Sequence, residues 1–177
     1  MGTSKSSKSS RYRLMFSPSP GHSTPTIYKW VGSGGLVDLL EIKDYREQEQ
    51  DLSLDHFNGL ISNSKYCWSF KIATGKKSHP IAVCGLRKIR DGVAEAWLVG
   101  SKSLSNHSLF VTKSVALILL EHQEVQKEFH RIQATVRADW KTANRWVKLL
   151  GFDHEGYMRQ YGSNREDYIR YARVLWH

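Results

Sequence analysis

The stretch RADWKTANRWVKLLGF, residues 137–152, constrains this chain most, because it specifies one short helix and also the place where that helix must stop. Ala143, Trp146, Val147 and Leu150 recur at helical spacing, while Lys141, Arg145 and Lys148 fall on the other face. Gly151 supplies the left-handed residue that ends the helix, and Phe152 packs behind it. Upstream, Ile132, Ala134, Val136 and Ala138 alternate with Arg131, Gln133, Thr135 and Arg137, and this period of two predicts a strand over residues 130–138. Downstream, residues 156–161 and 167–175 read as two strands joined by Gly162-Ser163-Asn164, residue types that suit a tight turn.

The earlier part of the chain predicts a helix at about 54–61, from the uneven stripe of Leu52, Leu54, Phe57, Leu60 and Ile61. Residues 66–73 and 80–88 form a hairpin across Thr74-Gly75-Lys76-Lys77, and 92–100 gives a third strand. A single long helix is expected over 108–127, with Ser105 or Asn106 as its N-cap. The order is helix, three strands, helix, strand, helix and two strands.

That order, with the wording ADWKTANRWVKLLGFDHEG, resembles the C-terminal half of the GCN5-related N-acetyltransferases, the GNAT superfamily. The segment AWLVGSKSLSNHSLFVTKS, residues 96–114, is similar to the bend and helix start of one GNAT-like branch, the internal virion proteins of short-tailed bacteriophages. The resemblance runs from about Leu36 to the C-terminus. It implies an α/β fold, a GNAT-like mixed central sheet flanked by helices, and a cofactor, acetyl-CoA, if the protein is active. The branch implies a location in the phage virion, with the host cytoplasm during synthesis. Its expected partners are other virion proteins of the portal, tail or internal core.

In the superfamily, the bend after the fourth strand carries glycines whose backbone amides hold the cofactor diphosphate. The corresponding positions here are Val99, Gly100, Ser101, Lys102, Ser105, Asn106, His107 and Ser108, with no glycine after Gly100. The asparagine common eleven positions before the helix-ending glycine is Trp140, and the tyrosine common four positions before it is Val147, which cannot donate a proton. Glu95 is the candidate base and Tyr157 or Tyr161 a candidate acid, each with a structural alternative as a strand-face carboxylate or a sheet-packing ring. Asp139 and His154 are weaker candidates. These departures predict that conventional acetyl transfer has been lost. The competing expectations are an active acetyl-CoA-dependent N-acetyltransferase, an acyltransferase class that would modify a host amine here, and, as a second alternative to the virion role, a nucleic-acid-binding module.

Composition adds limits. The 177 residues suffice for one domain with a full core. Residues 1–31 form an extended basic, Pro/Ser-rich arm, with Lys5, Lys8, Arg11 and Arg13 as partner-binding candidates and DNA as a contact, and residues 32–177 form the folded domain. The net charge of +9 favours anionic partners, although solvated lysines explain much of it. The longest apolar run, residues 115–120, predicts no membrane segment, and no signal-peptide core opens the chain. Cys67 and Cys84 lack ligand spacing and read as core residues, and the scattered histidines predict no metal site. Trp97 and Trp146 read as core or interface residues and Trp140 as exposed.

Overall fold

Strands joined by very short turns dominate the computed structural model, which describes residues 11–12, 24–30, 42, 54–74 and 77–175. The fold is α/β, a mixed sheet flanked by helices. The chain divides into two compact units, Met1–Gly85 with Leu98–His107 and Leu86–Trp97 with Ser108–His177.

The first unit contains β1 (Arg11–Tyr12), β2 (Thr24–Trp30), α1 (Leu54–Ser62), β3 (Ser64–Thr74) and most of β4 (Lys77–Arg90). Its strands are ordered β1-β2-β3-β4, and β2 runs antiparallel to β3 from Thr24↔Ala73 to Trp30↔Cys67. Part of the stretch expected as an arm, residues 24–30, is therefore sheet, and Arg11 lies in β1. Lys5, Lys8 and Arg13 lie outside the described residues. Five successive residues from Tyr66 to Phe70 are buried, so β3 is covered on both faces. Phe57 and Ile61, one turn apart on α1, join this core. Cys67 and Cys84 are free thiols inside it, and burial, assisted by Cys67, pushes the Cys84 thiol well above its ordinary range.

The second unit holds the end of β4, the start of β5 (Gly92–Gly100), α2 (Ser108–Glu121), α3 (Gln123–Glu128), β6 (Phe129–Arg137), α4 (Lys141–Leu149), β7 (Asp153–Met158) and β8 (Tyr168–Val174). Its strand order is β5-β6-β8-β7. β5 and β6 are parallel, a pairing that needs the crossover α2 and α3 provide, whereas β8 runs antiparallel to both β6 and β7. A bulge at Glu155 interrupts β7 between His154 and Gly156. Val111, Leu119, Val125, Phe129, Ile132, Val147, Phe152 and Tyr171 fill the core.

The crossover departs from expectation at both ends. Instead of one helix over 108–127, the chain breaks at His122, which leaves helical geometry at φ −75°, ψ 95°. His122 then caps α3, its Nδ1 accepting from the Val125 amide at 3.4 Å. Neither Ser105 nor Asn106 is an N-cap, because Lys102–His107 winds as a 3₁₀ helix that runs directly into α2. Together Lys102–Glu121 make 20 residues, within which an 18-residue window has mean hydropathy 1.2, long and apolar enough to cross a membrane by length and composition alone. The six-residue run at 115–120 understated this, because apolar residues at 104, 109–111 and 115–120 belong to one continuous helical stretch.

Candidate functional site

The segment corresponding to the expected phosphate loop begins where β5 ends. In the first unit, the Ser101 amide donates to Ile81 O at 2.9 Å, and the Leu104 amide donates to Ser101 O at 3.0 Å. A Cβ on Gly100 would come within 2.5 Å of Leu104 Cδ2, so glycine at this position lets Leu104 fold back over the strand end. Ser105 Oγ closes the turn by donating to Lys102 O at 2.9 Å. The i to i+3 bonds of the 3₁₀ helix consume amides that a diphosphate cradle would need to present. Lys102, Ser105 and Asn106 are exposed, His107 and Val99 half-buried, and Ser108 opens α2. Ser101 is 6% exposed and its Oγ is buried without a hydrogen-bond partner. The loop thus offers polar side chains and one unsatisfied hydroxyl, while the Ser101 and Leu104 amides, which a diphosphate cradle could use, are bonded within the protein.

In the second unit Glu95 lies on β5 opposite Gln133. One carboxylate oxygen accepts from Arg87 of β4 and the other from Thr135 Oγ1 at 3.3 Å, leaving the side chain 17% exposed. Glu95 is therefore a fixed, ion-paired carboxylate rather than a freely solvated one. Tyr157 on β7 is 54% exposed and donates to Asp167 Oδ2 at 2.8 Å. That bond raises the phenol above its ordinary range and makes it a poorer acid. Gln133 and Val136 are an odd number of residues apart on β6, and Tyr157 registers through Ile169 with Val136. Glu95 and Tyr157 consequently project from opposite sheet faces and form no pair. Tyr161, half-exposed, packs edge-on against Tyr168, and His154 likewise against Tyr171. Asp139 accepts from Arg137 Nε at 2.6 Å. Among the described residues no group of three His, Cys, Asp or Glu side chains converges as a metal site.

α4 ends as its sequence demands. Gly151 has φ +80°, its amide donates to Lys148 O at 2.9 Å and the Phe152 amide to Val147 O at 3.3 Å. Val147 is buried, and Trp140 occupies the N-cap without a side-chain capping bond. Trp146 is only half-buried. Its indole Nε1 donates to Thr112 Oγ1 on α2 at 2.7 Å, and the Thr112 hydroxyl donates to Ser108 O at 2.7 Å.

One residue the sequence left unremarked organises this region. Asn144 Nδ2 donates to Arg137 O and Trp140 O, both at 2.8 Å, and to Ala138 O at 3.3 Å, while its Oδ1 accepts from Tyr171 at 2.9 Å. It clamps the turn between β6 and α4. An asparagine four residues past Trp140 was the available signal, but the spacing also suits an ordinary solvated side chain.

No protein-family model matches the sequence, and no curated protein does. Solved structures match instead. The ribosomal-protein-S18-alanine N-acetyltransferase from Escherichia coli matches with a TM-score of 0.66 at 18% identity, over 87% of this chain and 96% of that one. An acetyltransferase (GNAT family) from Bacillus anthracis gives 0.61 at 14%, over 84% and 94%. The chain has the GNAT fold. Ard1 from Thermoplasma volcanium shares this GNAT fold at a TM-score of 0.69 and 13% identity, over 86% and 99%. Identities this low establish the GNAT architecture, and the chemistry has to be argued from this chain's own residues.

Proposed function

We propose that this GNAT-fold chain is a phage-encoded, virion-associated component that has given up conventional acetyl transfer. The observation that carries the loss is the glycine-free segment after Gly100, wound into a 3₁₀ helix whose amides are turned inward to Ser101 O and its successors. Buried Val147 and uncapped Trp140, at the positions implied for the acid and the cofactor contact, support the same reading. The virion assignment is supported by the resemblance of residues 96–114, and its partners are portal, tail or internal core proteins. The host cytoplasm is the place of synthesis.

Titration of acetyl-CoA into the purified protein by calorimetry, with unacetylated CoA as comparison, tests the loss. No heat at high protein concentration is expected, whereas saturable micromolar binding would overturn it. Recovery of the protein from washed particles tests the virion assignment separately, and its absence there would remove it.

A second reading, an acetyl-CoA-dependent N-acetyltransferase acting on a host amine, is favoured by Glu95. Arg87 and Thr135 hold that carboxylate in place on β5, as a proton acceptor for an amine would require. Acetylation of an amine panel that disappears in Glu95→Gln would establish it.

A further inference from the structure

We infer that the exposed face of α4 binds the phosphate backbone of a double-stranded nucleic acid through Lys141, Arg145 and Lys148. The three cations are exposed and lie four and three residues apart, hence on one side of the helix. None is in an ion pair with a described residue, in contrast to Arg87, Lys88, Arg131 and Arg137, each of which has a carboxylate partner. α4 contains no acid from Lys141 to Leu149. Asp139, just before it, is occupied by Arg137, and the next acid, Asp153, lies beyond the Gly151 terminus. Arg173 of β8 adds a cation at the C-terminal end of the helix, where it donates to Leu150 O.

The helix pays for this arrangement in local stability. Lys141 sits in the first turn, where the helix dipole disfavours a cation, no acid is present there, and Trp140 makes no capping bond. Like charges at these spacings also repel. α4 stays helical because the Asn144 clamp ties down its first turn and the Trp146 bond to Thr112 holds it from the side opposite the stripe. Local rules broken this way, with compensation from tertiary contacts, mark a surface kept for a ligand. An anion in front of the stripe relieves the repulsion among the three cations.

Dimensions favour a nucleic acid. Lys141 to Lys148 spans about 10 Å of helix axis. One strand of a duplex carries a phosphate per about 3.4 Å of its own axis, so about three phosphates face the three cations. Such contacts position the protein on the backbone and carry no base specificity.

The test is fluorescence anisotropy of the full chain with a labelled 20-base-pair duplex between 50 and 200 mM salt. Lys141→Gln/Arg145→Gln/Lys148→Gln should flatten the slope of log affinity against log salt by about 2.7, and Arg145→Gln alone by about 0.9. Lys141→Arg/Lys148→Arg should leave it unchanged. Circular dichroism establishes that each variant is folded, and Arg145→Gln carries the test if the triple variant is not. An unaltered slope in Arg145→Gln and the triple variant would overturn the proposal. So would polyglutamate of matched charge binding as tightly as the duplex and losing affinity in the same variants, which would assign the stripe to an acidic polypeptide.

Discussion

Tyr171 of β8 donates its hydroxyl hydrogen to Oδ1 of Asn144 at 2.9 Å, and the amide of the same Asn144 feeds three carbonyls of the turn that launches α4. A strand thus fixes the start of a helix through a single side chain. Tyr171→Phe should cost about 1 kcal/mol, the worth of one hydrogen bond. Asn144→Ala should cost about 3 kcal/mol, since it also strips donors from the turn carbonyls and leaves the buried Tyr171 hydroxyl without its acceptor. The double variant should fall short of the sum of the singles, because the two share one bond. Urea midpoints measure all three, and equal losses in the singles would show that Asn144 is not the clamp.

Trp146 joins α4 to α2 by its indole N–H. Trp146→Phe should cost about 1 kcal/mol for the bond to Thr112. Trp146→Ala should cost about 2 kcal/mol, less than the truncation of a fully buried tryptophan, because the ring is half-exposed. Thermal unfolding of both variants beside Thr112→Val checks this, and additivity of Trp146→Phe with Thr112→Val would disprove the coupling.

Gly151→Ala should destabilise by about 1 to 2 kcal/mol, the strain of a side chain in the left-handed region. Its Cβ would also meet Arg173 Nη1 at 2.9 Å, so part of the loss should return in Gly151→Ala/Arg173→Ala. Equal stability of Gly151→Ala and the parent would show that the terminus tolerates another geometry.

How much of this was legible follows from how local each signal is. The Gly151 terminus and the alternation along β6 depend on neighbours within a few residues, and both appear as read. The break at His122 has no glycine or proline to announce it, and histidine is an uncommon cap, so the periodicity of 108–127 ran straight through it. The candidate site was less legible for the same reason. Glu95 is fixed by Thr135, forty residues away, and Tyr157 faces away from it because of strand registers that no spacing reveals. Asn144 takes its importance from Tyr171, equally remote in sequence.

Acid should loosen the C-terminal sheet in a definite window. Arg131 reaches across β8 to Glu155 in a two-pronged ion pair, at 2.7 Å on its Nη1 to Oε1 arm. The hydrogen bond from Arg131 lowers Glu155 from its ordinary value of 4.5. A depressed carboxylate contributes stability above its unfolded value and loses it as pH falls through the folded one. Stability should therefore drop below about pH 4.5, and Glu155→Gln should make the descent shallower. Unfolding midpoints from pH 7 to 3 measure it, and parallel curves for the two proteins would refute the assignment.

The bulge at Glu155 matters beyond the molecule itself. β7 ends the strand order β5-β6-β8-β7, and a border strand with an open row of amides and carbonyls invites other chains to add on. The extra residue breaks that row after His154 and twists the border away from a straight template. Molecules crowded together at high concentration therefore meet a frayed margin, and growth into fibrils is discouraged by one residue of mismatch.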